Sequence, residues 1–312
     1  MSVIVPNWNG RHLISRCLDS LQRQSFGNIE TIVVDGGSAD GSIDFLRAQY
    51  PWVRVIPLPR NLGFTGNVNA GLRAAAGDAL ALLNNDAEAD PHWIGAMVSA
   101  MRGEPRIGSV ASKILHRDDR QVIGSAGDCL GMNGLAAQRG NGEVDCGQYD
   151  RAEEVFAASG GAVLYSREML RDVGLLDEGF VSYLEDVDLG LRARLRGWAC
   201  WYEPAARVYH QGSATGGGPL ASFYVARNTI RLIARGFPTG LLRRGLPAIM
   251  AGQRRRALDA ARAWRGAAAR ATLRGQIAGL ANLPDALRSR RVIQARRTVM
   301  DNYLLEWLTA PP

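Results

Sequence analysis

The sequence predicts an α/β fold, with a mostly parallel central sheet flanked by helices and a helical, arginine-rich C-terminal region. Two observations carry this expectation. Through the first 100 residues short apolar runs alternate with helical periodicities, the rhythm of parallel strands joined by helical crossovers. Charge is also divided unequally: residues 230–312 hold 16 arginines against four acids, so a total of +7 leaves 7 − 12 = −5 on residues 1–229. Two units are therefore expected, 1–229 and 230–312.

Ser2 to Val5 reads as a short buried strand, broken by Pro6-Asn7-Trp8-Asn9-Gly10. Leu13, Ile14, Cys17, Leu18 and Leu21 then mark one face of a helix over 11–24. Ile29 to Val34 is a second strand ending in Asp35-Gly36-Gly37-Ser38. A helix over 43–49, a strand over 53–56 and a small-residue helix over 64–76 follow. The buried run Ala79 to Leu83 stops abruptly at Asn84-Asn85-Asp86, ahead of a helix over 91–101 and a strand over 107–114. Residues 117–154 are rich in glycine and carry no motif. Val155 to Tyr165 returns to strand character around Gly160-Gly161, and paired glycines in a strand mark close backbone approach, by a sugar or acceptor or by a packed neighbour. Within Phe180 to Trp198, Leu184, Val187, Leu191, Leu195 and Trp198 share a helical face. Strand character at 199–202 and 207–209 leads to His210, and from 235 the chain reads as helices of Arg and Ala.

Open α/β sheets bind ligands outside the carboxyl ends of their strands. There this chain delivers Pro6 and Asn7, Asp35, and Asn84 to Asp86. A carboxylate such as Asp86 suits a hard divalent cation, Mg2+ or Mn2+, held against a phosphate; an Asx turn is the alternative. Asp35 can accept the imide N3–H of uracil or thymine, or close an Asx turn of its own. In Arg60-Asn61-Leu62-Gly63-Phe64-Thr65-Gly66-Asn67 a glycine-containing loop opens a helix, so unpaired amides beside Arg60 favour a diphosphate. Asp40, before Gly41-Ser42, reads as a helix cap. Asp188 has Arg192 four residues on, the spacing of a surface ion pair. Glu185 and Asp186 have no such partner, and in the first helical turn the dipole favours their ionised form, ready to accept a proton. His210, followed by Gly212 and Gly216 to Gly218, is placed to complete a coordination shell begun by Asp86.

Composition excludes several classes. With 46% hydrophobic and 21% charged residues the chain is ordinary globular material. No apolar run reaches the roughly 18 to 20 residues of a spanning helix. The chain opens on SVIVP with no charged leader, so cytoplasmic residence is expected. Four scattered cysteines form no CxxC pair, and GGSADGS is not a GxGxxG fingerprint, which removes the main support for a dinucleotide site. PNWNGRH is a poor match for the phosphate loop of a nucleotidyltransferase. The basic tail fits an anionic membrane surface, peripheral on its inner face, or else a helical cap or an oligomer contact. Sparse aromatic residues there argue against nucleic acid.

Eight stretches in order, SVIVPNWN, VVDGGSADGS, RNLGFTGNVNAG, GDALALLNND, SGGAVLYSRE, GLLDEGF, YLEDVDLGLRARLRGW and ARVYH, resemble glycosyltransferase family 2, most closely its rhamnosyltransferase-like branch. The resemblance runs from Ser2 to Gly216. It implies a GT-A fold and an inverting, metal-assisted transfer from a nucleotide-sugar, first of all L-rhamnose from its dTDP donor, to a glycan or lipid-linked acceptor. It further implies that Asp35 binds the base with Asn7 near the nucleoside, that Asp86 and His210 hold the divalent cation, and that Asp186 is the general base supported by Glu185. Pro6, Arg60, Asn61, Gly63, Asn67, Asn84 and Asn85 complete the expected donor site, and Gly160 and Gly161 the sugar or acceptor pocket. Asn84 departs from the pattern, since many members carry an aspartate there. A non-catalytic nucleotide-sugar or glycan-binding module of the same fold is the alternative. The absence of QxxRW in the sequence argues against a processive polymerase.

Overall fold

The computed structural model describes residues 1–212 and 217–308. Gly216, at the end of the resemblance and among the glycines after His210, lies outside them, as do residues 309–312 of the tail. The chain opens β1 (Ser2–Asn7), α1 (Arg11–Gln22), β2 (Glu30–Asp35), α2 (Ser42–Gln49), β3 (Arg54–Pro57), α3 (Gly63–Ala74) and β4 (Ala79–Leu83). Next come β5 (Ala87–Ala89), α4 (Trp93–Arg102), β6 (Ile107–His116), β7 (Ile123–Ser125), β8 (Asp128–Leu130), β9 (Ala136–Gln138) and β10 (Glu153–Val155). β11 (Ala162–Ser166), α5 (Arg167–Val173), α6 (Glu185–Leu195) and β12 (Ala199–His210) complete a mixed sheet of order β10-β12-β6-β11-β4-β1-β2-β3.

Strand direction sets the position of the site. β1 is parallel to β2 and β4, and β2 to β3. β11 runs antiparallel between β4 and β6, so β6 and its parallel neighbour β12 point the same way as β4. The carboxyl ends of β1, β2, β4 and β12 therefore share one edge, and β11 enters the sheet from that edge. Both faces are buried, which is why the strands read as continuous apolar runs. Val3, Val5 and Val33 pack with Ile14, Leu18, Trp93 and Met97 on one side. Ile4, Ile32 and Val34 pack with Val68, Leu72, Met169 and Leu189 on the other.

Several sequence expectations are corrected. Pro6 does not break β1: it is buried and pairs in register with Val34, and Asn7 with Asp35. The Asn7 carbonyl faces β2, accepting from Gly36 N–H at 2.8 Å. The polar groups of Pro6 must then face β4, where pairing already ends at Ile4↔Leu82, so its missing N–H leaves no ladder bond unmade. Gly160-Gly161 is a turn leading into β11, not the middle of a strand. Residues 199–210 form one strand with a register shift between Glu203 and Arg207.

The C-terminal region is built from α7 (Gly218–Gly236), α8 (Thr239–Arg262), α9 (Ala267–Ala281), α10 (Leu283–Ala295) and α11 (Asp301–Trp307), and α7 runs through position 230. Leu232, Ile233, Phe237, Leu241 and Leu304 share a core with Val187, Leu191 and Leu195 of α6. Buried ion pairs join the same elements. Asp188 meets Arg192 at 2.8 Å and Arg235 of α7 at 3.1 Å, and Asp177 meets Arg231 at 2.7 Å and also Arg235. Arg231 reaches on to Asp285 of α10 at 2.7 Å. The Asp188–Arg192 pair is thus an interior pair rather than a surface one, with side chains 1% and 7% exposed. Spacing along a helix fixes the pairing but is blind to what packs over it. The chain's one lysine, Lys113, is likewise interior, held by Asp145 at 2.7 Å and Asp150 at 2.6 Å. Among the described residues no helix is long and apolar enough to cross a membrane.

Candidate active site

Hydrogen bonds joined by lengths of backbone link Asn7, Asp35, Asn84, Asn85, Gly160, Gly161 and Asp186 at the shared carboxyl edge. Asn7 Nδ2 donates to Asp35 Oδ2 at 2.8 Å, and Asn85 Nδ2 donates to Asn7 Oδ1 at 2.8 Å. Asn84 N–H donates to the Gly161 carbonyl at 3.0 Å, and Gly160 N–H to Asp186 Oδ2 at 2.8 Å. From Asp186 the chain leads back to Val181, whose carbonyl accepts from Thr65 N–H at 3.1 Å in the first turn of α3. Leu58 N–H, ahead of the loop that leads to α3, donates to the Asp35 carbonyl at 2.8 Å. Asp86, Asp186, His210 and Asp35 therefore converge on one edge although they lie far apart in sequence.

His210 faces Asp86 because β5 pairs antiparallel with β12, setting Ala87 opposite His210. His210 Nε2 lies 2.9 Å from Asp86 Oδ1 and 3.2 Å from Asn84 Nδ2. One nitrogen cannot serve both: a proton on Nε2 satisfies Asp86 and leaves the Asn84 amide without an acceptor, and its absence does the reverse. Asn84 Oδ1 is buried with no partner either, so the trio is under-satisfied. Asp86 Oδ1 and His210 Nε2 by themselves fit a small divalent cation, since ligand bonds of about 2.1 Å put neighbouring octahedral ligands about 3 Å apart. Among the described residues no group of three or more His, Cys, Asp or Glu side chains gathers to hold a metal.

Glu185 and Asp186 open α6. Asp186 Oδ1 accepts from Val187 N–H at 2.8 Å and Oδ2 from Gly160, whereas Glu185 Oε2 is buried without a partner. Burial raises Asp186 above the usual aspartate range despite the two amides, and it raises Glu185 much further, with Asp186 and Asp188 adding to the effect. Desolvation thus outweighs the helix dipole, contrary to the sequence expectation. Of the two carboxyls, Glu185 is held further above its ordinary range, and Asp186 is the one whose charge two amides favour. A third carboxyl lies within their field. Asp128, on β8, is buried with an unpartnered Oδ1, and burial first and then Asp186 push it well above the ordinary range.

The turn that delivers this pair is strained. Val181, Tyr183 and Leu184 have φ of 65°, 69° and 67°, values non-glycine residues rarely adopt and which cost about 1–3 kcal/mol each. Around Val181, with ψ −54°, Ser182 N–H donates to the Phe180 carbonyl at 2.7 Å, a γ-turn of the strained hand. A Cβ on Gly63 would stand 2.6 Å from Val181 Cγ1, so glycine is required where α3 meets the turn.

The donor-loop expectation is revised in detail. Asn61 Oδ1 accepts from Gly63 N–H at 2.9 Å and from Asn67 Nδ2 at 3.1 Å, and Asn67 Oδ1 accepts from Leu62 N–H at 3.2 Å. With Thr65 N–H on Val181, those amides at the start of α3 are already paired, and the two asparagines brace the loop. Arg60 is exposed, and among the described residues no carboxylate pairs with it. Asp35 has no exposed surface: Ser38 N–H and Oγ each donate to it at 2.8 Å, so a base reaching it must displace Ser38. Asp40 is not the cap expected of it: Gly41 holds that position in α2, and Asp40 accepts from Ser42 N–H and Arg11 N–H, the first residues of α2 and α1, at 3.0 Å.

Two residues at this site carry no sequence signal. Asp128 sits in the glycine-rich segment without a motif, and Asn228 on α7 reaches the strained turn from more than 40 residues downstream.

Residues 2–174 match the Glycosyl transferase family 2 signature. Among curated relatives, the N-acetylglucosaminyl-diphospho-decaprenol L-rhamnosyltransferase of Mycobacterium tuberculosis is 32% identical over 235 residues, 68% of this chain and 76% of that protein. An uncharacterized protein of Sinorhizobium fredii, y4gI, is 29% identical over 70% of this chain, which spans only 25% of its length. The mannosyltransferase PcManGT of Pyrobaculum calidifontis, solved with GDP-Man and Mn2+, superposes with a TM-score of 0.56 at 16% identity, over 98% of this chain and 82% of that one. Staphylococcus aureus TarS 1–349 with UDP gives 0.56 at 19% identity, over 96% and 94%.

Proposed function

Because the chain belongs to glycosyl transferase family 2, with the GT-A fold, we propose that it is an inverting glycosyltransferase moving L-rhamnose from dTDP-rhamnose to a lipid-linked glycan acceptor. The observation that carries the reading is the Gly160-Gly161 turn, which binds Asp186 through one amide and Asn84, neighbour of Asp86 and His210, through the next carbonyl. That spacing supports a reading in which a proton acceptor stands on one side of a sugar site and a diphosphate on the other.

In the proposed mechanism Asp186 takes the proton from the acceptor hydroxyl while its oxygen attacks the anomeric carbon. Its raised proton affinity makes it a stronger base than an exposed aspartate, and protonated Glu185 avoids a second buried charge. The C–O bond to the diphosphate breaks on the opposite face, so a single displacement inverts the anomeric centre. Asp86 and His210 would hold a divalent cation, with waters and diphosphate oxygens as its other ligands, and when bound it supplies charge neutralisation on the leaving group. Arg60 supplies a second positive charge to the diphosphate, and Asp35 reads the imide of the base once Ser38 gives way.

The basic helices would lie on an anionic inner membrane face, where a lipid-linked acceptor resides. Met250, Ile277 and Val292 are exposed at 61%, 68% and 63%, and Arg254, Arg274 and Arg291 are exposed on the same helices. Flotation with anionic vesicles at low salt tests this, and absence from the vesicle fraction removes it. A non-catalytic module of the same fold is the second reading, favoured by Asn84 in place of a carboxylate. Release of dTDP from dTDP-rhamnose, with Mn2+ and a polyprenyl-diphosphate-linked sugar acceptor, separates the two. Donor binding without release in any acceptor would leave the module.

A further inference from the structure

The strained turn ahead of the carboxylate pair is held from outside by one side chain. Asn228, with no exposed surface, points its Nδ2 at three backbone carbonyls: Phe180 at 3.0 Å, Ser182 at 2.8 Å and Tyr183 at 2.7 Å. Its two hydrogens are shared among three acceptors, where a hydroxyl would bring only one. Its neighbour Arg227 donates to the Gly179 carbonyl at 2.7 Å, so each carbonyl from Gly179 to Tyr183 has a donor, Val181's being Thr65. These are the carbonyls a positive-φ run turns away from regular pairing, and such a run persists only where its surroundings over-determine it.

We infer that Asn228 is a positioning residue for the proposed base: it fixes the Phe180–Leu184 turn, and that turn sets how Glu185 and Asp186 enter α6 beside Gly160. Thr65 grips the same turn from the proposed donor loop, so the arrangement of α3's first turn and that of the base are mechanically joined. No part of this requires Asn228 to touch a substrate. The inference rests on the proposed role of Asp186 for its kinetic consequence but not for its structural one.

The test uses the full chain with Asn228→Ala, Asn228→Ser, Val181→Gly and the pair Asn228→Ala with Val181→Gly. Hydrogen exchange of amides 182–187 is expected to quicken about tenfold or more in Asn228→Ala while the sheet amides of β1 and β4 keep their rates. With dTDP-rhamnose, kcat is expected to fall about 100-fold with donor KM within about threefold, the signature of a base displaced by about 1 Å. Glycine at 181 accepts positive φ without strain, so the double variant is expected to regain about tenfold over Asn228→Ala. Asn228→Ser keeps a donor and falls between; it is judged by the same criteria if the alanine variant does not fold. Unchanged exchange at 182–187, or quickening spread equally over β1 and β4, overturns the inference. So does unchanged kcat in a chain whose wild type transfers sugar. If the wild type transfers none, the functional reading fails, and exchange alone decides the role of Asn228.

Discussion

Replacing Asp186 with Asn isolates the proton-accepting step, and its size can be worked from the site. Asparagine keeps the shape but offers one oxygen where the carboxylate has two. Of the 2.8 Å hydrogen bonds from Gly160 and Val187, one survives and the other becomes N–H facing N–H. An unmet buried donor costs about 1–3 kcal/mol, offset by release of the burial penalty that raises Asp186. The fold should therefore persist with a melting temperature within a few degrees of wild type. The reaction should not: loss of a general base lowers the rate by about 100- to 10,000-fold, or about 2.7 to 5.4 kcal/mol at 1.36 per decade. Single-turnover release of dTDP with acceptor present measures the chemical step, and calorimetry with dTDP-rhamnose measures donor affinity, which should be unchanged. In wild type the rate should climb as pH rises through the elevated Asp186 range, and that limb should vanish in the variant. Turnover within tenfold of wild type, or an acid limb that survives, would refute the assignment.

Other predictions address the neighbours. Asp128→Asn removes a buried charge whose proton affinity is raised in the folded state. The wild-type chain loses stability as pH rises from the ordinary aspartate range towards that raised value, so the variant should melt higher at neutral pH and equally below about pH 3.8. Asp86→Ala and His210→Ala should each abolish the Mn2+-dependent gain in melting temperature with dTDP-rhamnose, and a gain equal to wild type would remove that residue as a ligand. Asp188→Ala leaves Arg192 without a carboxylate in the interior and Arg235 with Asp177 alone, and should cost about 3–5 kcal/mol in denaturant unfolding. A loss below about 1 kcal/mol would mean that the network is not coupled.

What was legible in the sequence is what strand ends expose. Asn7, Asp35 and Asn84 to Asp86 are polar residues following apolar runs, and parallel topology alone brings them together. Glu185, Asp186 and His210 were visible as unpaired functional types at element ends. Burial was not legible. The Asp188–Arg192 spacing is the same for a solvated pair and an interior one, and the first-turn position of Asp186 suggested a dipole-favoured anion before desolvation was known. The strained turn was hidden because Val181-Ser182-Tyr183-Leu184 contains none of the glycine or asparagine that usually marks left-handed backbone. Asn228 could not be found from local pattern, since what it binds is backbone carbonyl, which every residue has.

The solitary lysine gives this molecule a built-in gauge of its own integrity. With the Lys113 amine enclosed by two carboxylates and its residue wholly shielded, amine-reactive esters should spare it in the native chain. An adduct on Lys113 would count the unfolded fraction directly by mass, without any assay of catalysis.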